Sequence, residues 1–504
     1  MVTPHLRQRA LSGVLWMSAD RVFLFVVGAV VTAVLARLLP PSDFGIVGAA
    51  LVVVEIVAQI VSASATPALV QRSRVTRAHL SSAFWLSAGL SLGLFGVVWA
   101  LSPLAARFFA MPPLAQVLPA LALLFVFDGL SAVAQSRQLR DLAFRDAVVI
   151  RAVADVIGLG GVSIGLALSG YGLWALVGGR LAQSLLRALG FVIRFPHPVL
   201  GATREAARDI ARFSGGVVLQ GALNSLARQG DALVVGRALG ANALGLYNRS
   251  YQMMALPASF LAGSFSGVLF PILSKTQDRT ASLRATLYRT TSLLALFLLP
   301  LAAAAAVLAP EVVYVALGPD WGGAVAPLRI LAVGMFFRAA YKTGMTILES
   351  RGRIYVAAAL QGLYAVLVVI GALVGWPYGL EGVATGVVGA VVVFFGMSTA
   401  VAVRETDGTL WPLVRGMAPG AMIAGIGGLL AHAAVVPLRG AGIAPIATLV
   451  TGAAVLGSVG LVALAFAPGL IGRHGRWLRS AVTAYLARLG DDGGTSDEPP
   501  SEHE

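Results

Sequence analysis

The sequence predicts an all-α, polytopic membrane protein with 14 transmembrane helices. They form two six-helix lobes related by a pseudo-twofold repeat, followed by two C-terminal helices. Three observations support this fold. The 504 residues are 58% hydrophobic and only 12% charged, which is about half the charged fraction of a soluble domain. Two blocks of sequence recur about 200 residues apart, and Arg and Lys alternate in number from loop to loop.

The apolar runs set the span boundaries, because about 20 apolar residues cross a bilayer core of about 30 Å. The predicted spans are 13–36, 44–66, 80–102, 113–135, 148–168, 171–193, 213–236, 244–272, 286–308, 325–348, 355–376, 381–403, 412–434 and 443–467. They divide the chain into an N-terminus (1–12), an N-terminal lobe (13–193), a basic linker (194–212), a C-terminal lobe (213–403) and two extra spans (412–467). An amphipathic helix (473–489) and a disordered acidic tail (490–504) are predicted to follow.

One motif occurs twice in the chain and is called the repeated motif here. Its first copy, residues 36–46, contains Ala36-Arg37-Leu38-Leu39 and Phe44-Gly45-Ile46; its second copy, residues 236–246, contains Gly236-Arg237-Ala238-Leu239 and Leu244-Gly245-Leu246. A further echo joins Tyr171-Gly172-Leu173 to Tyr378-Gly379-Leu380. Repeats in one orientation within a hydrophobic chain indicate two similar lobes. Glycines four residues apart, as in Gly161/Gly165, Gly371/Gly375 and Gly382/Gly386, predict tight helix packing.

The distribution of positive charge predicts the orientation. One set of loop ends carries 23 Arg and Lys residues and the other set carries 5. Cytoplasmic loops collect these residues, so both termini are expected in the cytoplasm. The net charge of +14 is explained in the same way and does not indicate nucleic acid. There is no Cys, and the 6 His lack metal-ligand spacing, so neither a metal nor a cofactor is expected.

Several charged residues fall within the predicted spans. The cations are Arg21, Arg151, Arg180, Arg187, Arg228, Arg249, Arg289, Arg338 and Lys342, and the acids are Asp20, Glu55, Asp128, Asp155 and Asp231. A charge at the bilayer centre costs roughly 2.5–3.5 kcal/mol. These side chains are therefore expected to face one another or a water-filled cavity.

Helical spacing sorts these charges. Arg151 and Asp155, four residues apart, either neutralise each other or face a cavity. Arg338 and Lys342 are like charges at the same spacing, so they need an external anion or acidic partners. The surplus of cations favours an anionic substrate, above all a phosphate or diphosphate. The alternative is that the cations pair with Glu55, Asp128 or Asp155 and only hold helices together.

The candidate site follows from this sorting. The substrate cavity is predicted to be lined by Arg21, Arg180, Arg228, Arg249, Arg338 and Lys342. Ion coupling or ion pairing is predicted for Asp20, Glu55, Asp128, Asp155 and Asp231. For Asp231, next to Arg228 on one helical face, a structural ion pair remains the alternative to coupling.

Several short motifs are spread along the chain beside the two copies of the repeated motif: Gly13-Val14-Leu15-Trp16, Ala68-Leu69-Val70-Gln71-Arg72, Arg228-Gln229-Gly230-Asp231, Tyr247-Asn248-Arg249 and Phe270-Pro271. On these motifs, nearly the whole chain, to about residue 470, resembles the bacterial polysaccharide flippases of the multidrug/oligosaccharidyl-lipid/polysaccharide exporter superfamily. The resemblance is to the lipopolysaccharide and exopolysaccharide branch, of the colanic-acid exporter type.

This resemblance implies a transporter of the cytoplasmic (inner) membrane rather than an enzyme. Members move undecaprenyl-diphosphate-linked oligosaccharides to the outer leaflet by alternating access, with a proton or sodium gradient as the expected driving force. Expected partners are the lipid-linked glycan, membrane lipids, and the polysaccharide polymerase and export machinery. The alternative on the same fold is a multidrug/ion antiporter, which the cationic cavity disfavours because such drugs are usually cations.

Overall fold

The structure is a computed structural model that describes residues 4–62, 69, 75–275 and 280–466. Throughout these ranges the regular structure is helical and contains no strand, which confirms the predicted all-α class. The predicted amphipathic helix 473–489 and the acidic tail 490–504 lie outside the described residues.

The helices follow one another with short connections. They are α1 (Pro4–Leu38), α2 (Pro41–Ser62), α3 (Arg77–Phe109), α4 (Leu114–Arg140), α5 (Phe144–Ala154), a π-helical segment (Asp155–Val162), α6 (Ser163–Leu168), α7 (Leu173–Arg194), α8 (Arg204–Lys275), α9 (Thr280–Val307), α10 (Ala309–Ala316), α11 (Val325–Val333), α12 (Met335–Ser350), α13 (Ile354–Gly375), α14 (Gly379–Glu405), α15 (Trp411–Gly440) and α16 (Pro445–Phe466). Short 3₁₀ helices cover Pro319–Ala324 and Trp376–Tyr378.

Many of the described helices are long and apolar enough to span a membrane. Within the described ranges, 10 stretches meet this condition, and one of them, Tyr355–Glu405, contains both α13 and α14. Every predicted span overlaps a helix of the structure. The chain is therefore a multi-pass membrane protein, and the count of 14 spans stays a prediction.

Local chemistry explains where two of these helices begin or turn. Thr76 precedes α3, and its hydroxyl accepts a hydrogen bond from the backbone N–H of His79, as in a capping box. Within α8, Gly240 has a φ of 83°, which is the one non-helical position inside that helix. Glycine reaches this conformation without a Cβ penalty, so it makes the corner between the predicted seventh and eighth spans.

The chain divides into two compact units. The first comprises Met1–Met253, Val312–Ile330 and Ala358–Val391. The second comprises Met254–Glu311, Leu331–Ala357 and Val392–Glu504. The predicted division into a lobe at 13–193 and a lobe at 213–403 is a separate hypothesis about the repeat and stays a prediction.

Glycines bring helices of the first unit into backbone contact. A Cβ added to Gly371 of α13 would lie 2.4 Å from the carbonyl oxygen of Gly386 in α14. One added to Gly375 would lie 2.1 Å from the oxygen of Gly382. The packing predicted for these four glycines is therefore confirmed, because only hydrogen fits at such a distance.

The same prediction is wrong for Gly161 and Gly165. A Cβ at Gly165 would meet nothing within 4 Å, and one at Gly161 would meet only the oxygen of Val156 at 3.9 Å. The close contact of this helix is made instead by Gly158, where a Cβ would lie 2.3 Å from the backbone nitrogen of Gln183 in α7. The π-helical segment explains the difference, because its wider turn changes which residues face the neighbouring helix.

In the second unit, α15 packs closely along α9. A Cβ at Gly420 would lie 2.3 Å from the carbonyl oxygen of Ala295. At the other end of α15, the guanidinium of Arg439 forms a two-point ion pair with Glu311 of α10, at 2.7 and 2.8 Å. Glu311 is only 4% exposed. A backbone contact and a buried ion pair thus fix the first of the two extra spans within this unit.

Candidate functional site

A cluster of polar side chains lies among the helices of the first unit, and Gln183 of α7 is its central link. The side-chain oxygen of Gln183 accepts a hydrogen bond from Arg180 at 3.0 Å. Its amide nitrogen donates to Asp155 at 2.6 Å. Gly158 makes this link possible, since its missing side chain lets the π-helical segment approach the backbone of Gln183.

Asp155 begins the π-helical segment, which is eight residues long and contains three glycines. π-helical segments within α-helices are rare and frequently occur at functional sites. This one places a carboxylate at the point where the helix changes its winding. The arrangement sets Asp155 against α7, where polar residues recur at helical spacing and form a stripe: Arg180, Gln183, Ser184 and Arg187.

Arg249 brings a second guanidinium into the cluster from α8. It donates a hydrogen bond to the side-chain oxygen of Gln252 at 2.6 Å. Its guanidinium carbon lies 4.5 Å from the ring centroid of Phe44 in α2. The charge of Arg180 acts on Arg249, and the charges of Glu55, Arg187 and Asp155 act on Arg180. Two like-charged guanidiniums from different helices are thus held near one another.

Two further carboxylates receive hydrogen bonds from uncharged groups. Glu55 of α2 accepts from the amide of Gln229 at 2.5 Å. Asp231, which is 2% exposed, accepts from the hydroxyl of Tyr247 at 2.8 Å and from the backbone N–H of Ala232 at 2.9 Å. Arg228, predicted to stand next to Asp231, is exposed and donates to Ser225 at 3.3 Å.

Two ion pairs inside the spans join different helices. Arg151 of α5 bonds Asp20 of α1 at 2.7 Å, although the sequence offered Asp155 as its neutralising partner. Arg187 of α7 bonds Asp128 of α4 at 2.8 Å. The local pairing of Arg151 with Asp155 was therefore the wrong choice, because Asp155 instead bonds the amide of Gln183. Asp20 and Asp128 take the pairing role that was one of the two predicted for them.

The remaining predicted site residues are distributed differently. The side chain of Arg21 lies outside the described residues. Arg338 and Lys342 lie on α12 in the second unit, where Arg338 is half-buried and Lys342 is exposed. Both interact with neighbouring groups. Tyr341, between them in sequence, packs edge-on against Phe394 with 4.9 Å between ring centroids.

Sequence reasoning missed several residues of the cluster. Gln229, Tyr247, Gln252 and Phe44 each contact a predicted charged residue. Two signals could have found them. Phe44 belongs to the repeated motif, and Gln252 follows Arg249 at the three-residue spacing at which helical side chains meet. Gln229 and Tyr247 carry no charge, so the pattern of intramembrane charges does not include them.

A helical membrane protein that keeps charged side chains together inside its spans belongs to the class of membrane transport proteins. The sequence profile of the family described as "Polysaccharide biosynthesis protein" matches residues 34–326. This match covers more than half of the chain, and the chain belongs to that family.

Individual relatives agree with the family. The chain is 25% identical over 352 residues to the "Lipopolysaccharide biosynthesis protein WzxC" of Escherichia coli, which covers 69% of this chain and 71% of the relative. It is 27% identical over 321 residues to the "Succinoglycan biosynthesis transport protein ExoT" of Rhizobium meliloti, covering 63% and 64%. The "Teichuronic acid biosynthesis protein TuaB" of Bacillus subtilis is 26% identical over 352 residues, covering 69% and 73%.

Solved structures share the fold. The "Lipid II flippase MurJ, inward closed conformation" superposes with a TM-score of 0.73 at 14% identity, covering 89% of this chain and 98% of that one. An inward-facing multidrug resistance MATE family transporter of the MOP superfamily gives a TM-score of 0.57 at 16% identity, covering 78% and 98%. At these identities the likeness concerns the fold alone.

Proposed function

We propose that the protein is a flippase that moves undecaprenyl-diphosphate-linked oligosaccharide units from the inner to the outer leaflet of the cytoplasmic membrane. It would act by alternating access and serve the synthesis of an exopolysaccharide or lipopolysaccharide. The family and the relatives named above for lipopolysaccharide, succinoglycan and teichuronic acid synthesis support this function. The likeness to the MurJ structure supports the fold.

One observation carries the choice of an anionic cargo. Arg180 and Arg249 each bond the amide oxygen of a glutamine, at 3.0 and 2.6 Å, rather than a carboxylate. A neutral partner holds a guanidinium in place without cancelling its charge, although the carboxylates of Glu55 and Asp155 also act on Arg180. Each guanidinium has five N–H donors in a planar fork, which suits the oxygens of a diphosphate. In the proposal, these two residues receive the diphosphate, and Arg21, Arg228, Arg338 and Lys342 stay predicted substrate-binding residues.

The acids have two proposed roles. Asp20 and Asp128 form ion pairs with Arg151 and Arg187, which favours a structural role. Glu55, Asp155 and Asp231 accept hydrogen bonds from Gln229, Gln183 and Tyr247, respectively, and these three carboxylates are the proposed candidates for coupling to a proton or sodium gradient. The polysaccharide polymerase and export machinery would receive the flipped product.

A transport assay tests the cargo. Purified protein in liposomes would be given undecaprenyl-diphosphate-linked oligosaccharide, and the glycan reaching the opposite leaflet would be measured. Arg180→Gln and Arg249→Gln should each lower the rate roughly 10- to 100-fold, since a hydrogen bond to a charged group contributes about 1.5–3 kcal/mol. Arg249→Lys should restore only part of the activity, because the fork is lost. Arg338→Gln with Lys342→Gln should also lower it strongly.

The matched control is Arg204→Gln, which removes one exposed cation from the basic linker and should leave the rate unchanged. Normal flipping by both single Gln variants would contradict the cationic-cavity proposal. Transport of a cationic drug, with none of the lipid-linked glycan, would favour the multidrug/ion antiporter. For that alternative the MATE likeness supports only the fold.

The proposed orientation places both termini in the cytoplasm. It rests on the 23 cations at one set of loop ends against 5 at the other. Reporter fusions at Gly318 and Gly408 should report the outside and the inside, respectively. The reverse result at either position would contradict the orientation.

A further inference from the structure

The two copies of the repeated motif meet each other in the first unit. A Cβ added to Gly45 of the first copy would lie 1.7 Å from the carbonyl oxygen of Ala241. A Cβ added to Gly245 of the second copy would lie 1.9 Å from the carbonyl oxygen of Pro41. Each glycine thus faces the backbone four residues before its own counterpart. This reciprocity is the signature of a contact built by a twofold repeat.

The two helices approach each other so closely at Gly45 and Gly245 that only a residue without a side chain fits there. Each glycine presents a Cα–H toward a backbone oxygen, an interaction of about 0.5–1 kcal/mol. One helical turn further along, a Cβ at Gly48 would lie 2.6 Å from the side-chain amide nitrogen (Nδ2) of Asn248. The positions 48 and 248 are again related by the offset of the repeat. The contact therefore continues along both helices beyond the two glycines.

Contacts from other connections flank this meeting point. Trp321 donates its indole N–H to the carbonyl of Ala36 at 2.8 Å, and Arg37 donates to the carbonyl of Val315 at 2.7 Å. The first copy is thereby held to the connection between α10 and α11. On the second copy, a Cβ at Gly236 would lie 3.0 Å from the ring of Phe109, at the end of α3. Each copy is thus in contact with a helix from the other predicted lobe.

We propose that the two copies of the repeated motif form the outer seal of the transport pathway, with Pro41, Gly45, Ala241 and Gly245 at its centre. The proposal rests on the proposed function and orientation, in which Arg37 and Arg237 lie at outer span ends. The helix ends on that side carry few charges, so the seal is made by backbone contact and by Trp321 and Arg37. Release of cargo to the outer leaflet requires the two copies to separate.

A cysteine pair tests whether separation is needed. The chain has no Cys, so Gly48→Cys with Asn248→Cys would contain the only thiols. Oxidation of the reconstituted full-length protein should cross-link the pair and reduce flipping of lipid-linked oligosaccharide at least tenfold. Reductant should restore the rate in the same sample, and each single-Cys variant should be insensitive to oxidant.

A second measurement does not depend on the cargo. In right-side-out vesicles, the thiol of Asn248→Cys would be labelled with a membrane-impermeant maleimide. Adding Gly45→Ala should raise the labelling rate severalfold, because a methyl group at Gly45 cannot coexist with the oxygen of Ala241. The matched control is Gly89→Ala on α3, where a Cβ would meet nothing within 4 Å, and it should leave the labelling rate unchanged.

The outcomes separate the seal from the proposed function. A cross-linked pair that flips at the full rate, or unchanged labelling in a folded Gly45→Ala variant, would overturn the seal. If the unmodified protein flips no lipid-linked glycan but labelling rises with Gly45→Ala, the seal stands and the proposed cargo is wrong. Failure of the pair to cross-link, with both single thiols reactive, would show that the copies do not meet.

Discussion

The guanidinium of Arg249 stacks over the ring of Phe44, with 4.5 Å between its central carbon and the ring centroid. The same ring meets the indole of Trp321 edge-on, with 5.1 Å between centroids. Phe44 is adjacent to Gly45 in the repeated motif. A cation proposed to bind cargo is therefore connected to the proposed outer seal through a single aromatic ring.

Replacing this ring should weaken transport. A cation–π contact contributes about 0.5–2 kcal/mol, so Phe44→Leu should lower flipping on the order of two- to thirtyfold. Phe44→Tyr keeps an aromatic face and should retain most activity. The liposome assay with lipid-linked oligosaccharide measures both variants. Equal rates for Phe44→Leu and the unmodified protein would show that the stack does not contribute.

Asp231 offers a test of ion coupling. Its carboxylate is buried and bonded by the hydroxyl of Tyr247. Asp231→Asn should preserve the fold and reduce export, and the remaining flux should lose its dependence on the proton or sodium gradient. Tyr247→Phe is the control, since it removes the hydrogen bond but keeps the carboxylate. A gradient dependence that survives in Asp231→Asn would rule out the coupling role.

The ion pair of Glu311 with Arg439 should contribute to stability. Removing one partner of a buried pair costs up to about 3–5 kcal/mol, and partial exposure of Arg439 places the expected cost near the lower figure. Glu311→Gln should therefore lower the thermal unfolding temperature of the detergent-solubilised protein. Glu381→Gln removes an exposed carboxylate from α14 and should change it little. Equal unfolding temperatures for the two variants would contradict this assignment.

His197 should make the linker sensitive to acid. Burial lowers the pKa of His197; the backbone of Phe195 raises that pKa by less, and the charge of Arg137 makes a still smaller contribution that lowers it. The folded protein therefore keeps the imidazole neutral at a pH where the unfolded chain, with a pKa of about 6.5, takes up a proton. Stability contributed here is present above about pH 6.5 and declines as the pH falls below it.

The measurement is the unfolding temperature between about pH 7.5 and about pH 5.5. It should fall on acidification, and His197→Gln should reduce the size of that fall. The linker gives this effect a structural basis, because Ser81 bonds the carbonyls of Pro198 and Leu200, and Trp85 bonds that of Val199. An identical pH response in the variant would assign the acid sensitivity to other groups.

The sequence predicted the helical class and much of the polar cluster, because both depend on local composition. Apolar runs long enough to span a bilayer must form helices, since lipid cannot hydrogen-bond their backbone groups. The glycines of α13 and α14 were also predictable, because small residues four apart lie on one helix face. The stripe of Arg180 and Gln183 follows from the same periodicity.

Partner choice could not be read from the sequence. Arg151 had a carboxylate one turn away, yet it bonds Asp20, 131 positions earlier in the chain. Whether Arg151 pairs with Asp20 or with Asp155 depends on how α1 and α5 approach each other, and helical periodicity carries no information about that approach. The π-helical segment from Asp155 was equally hidden, since its residues have no composition that separates a π turn from an α turn.

Gly45 and Gly245 restrict which substitutions, and which compensating substitutions, the protein can tolerate. Any side chain at Gly45 or Gly245 would meet a main-chain oxygen, and every amino acid supplies that oxygen at the facing position. A substitution at Ala241 or Pro41 therefore cannot relieve a mutation of the glycine opposite. Genetic suppressors of Gly45→Ala should instead arise where they shift a whole helix, for example along the contact of Gly236 with Phe109.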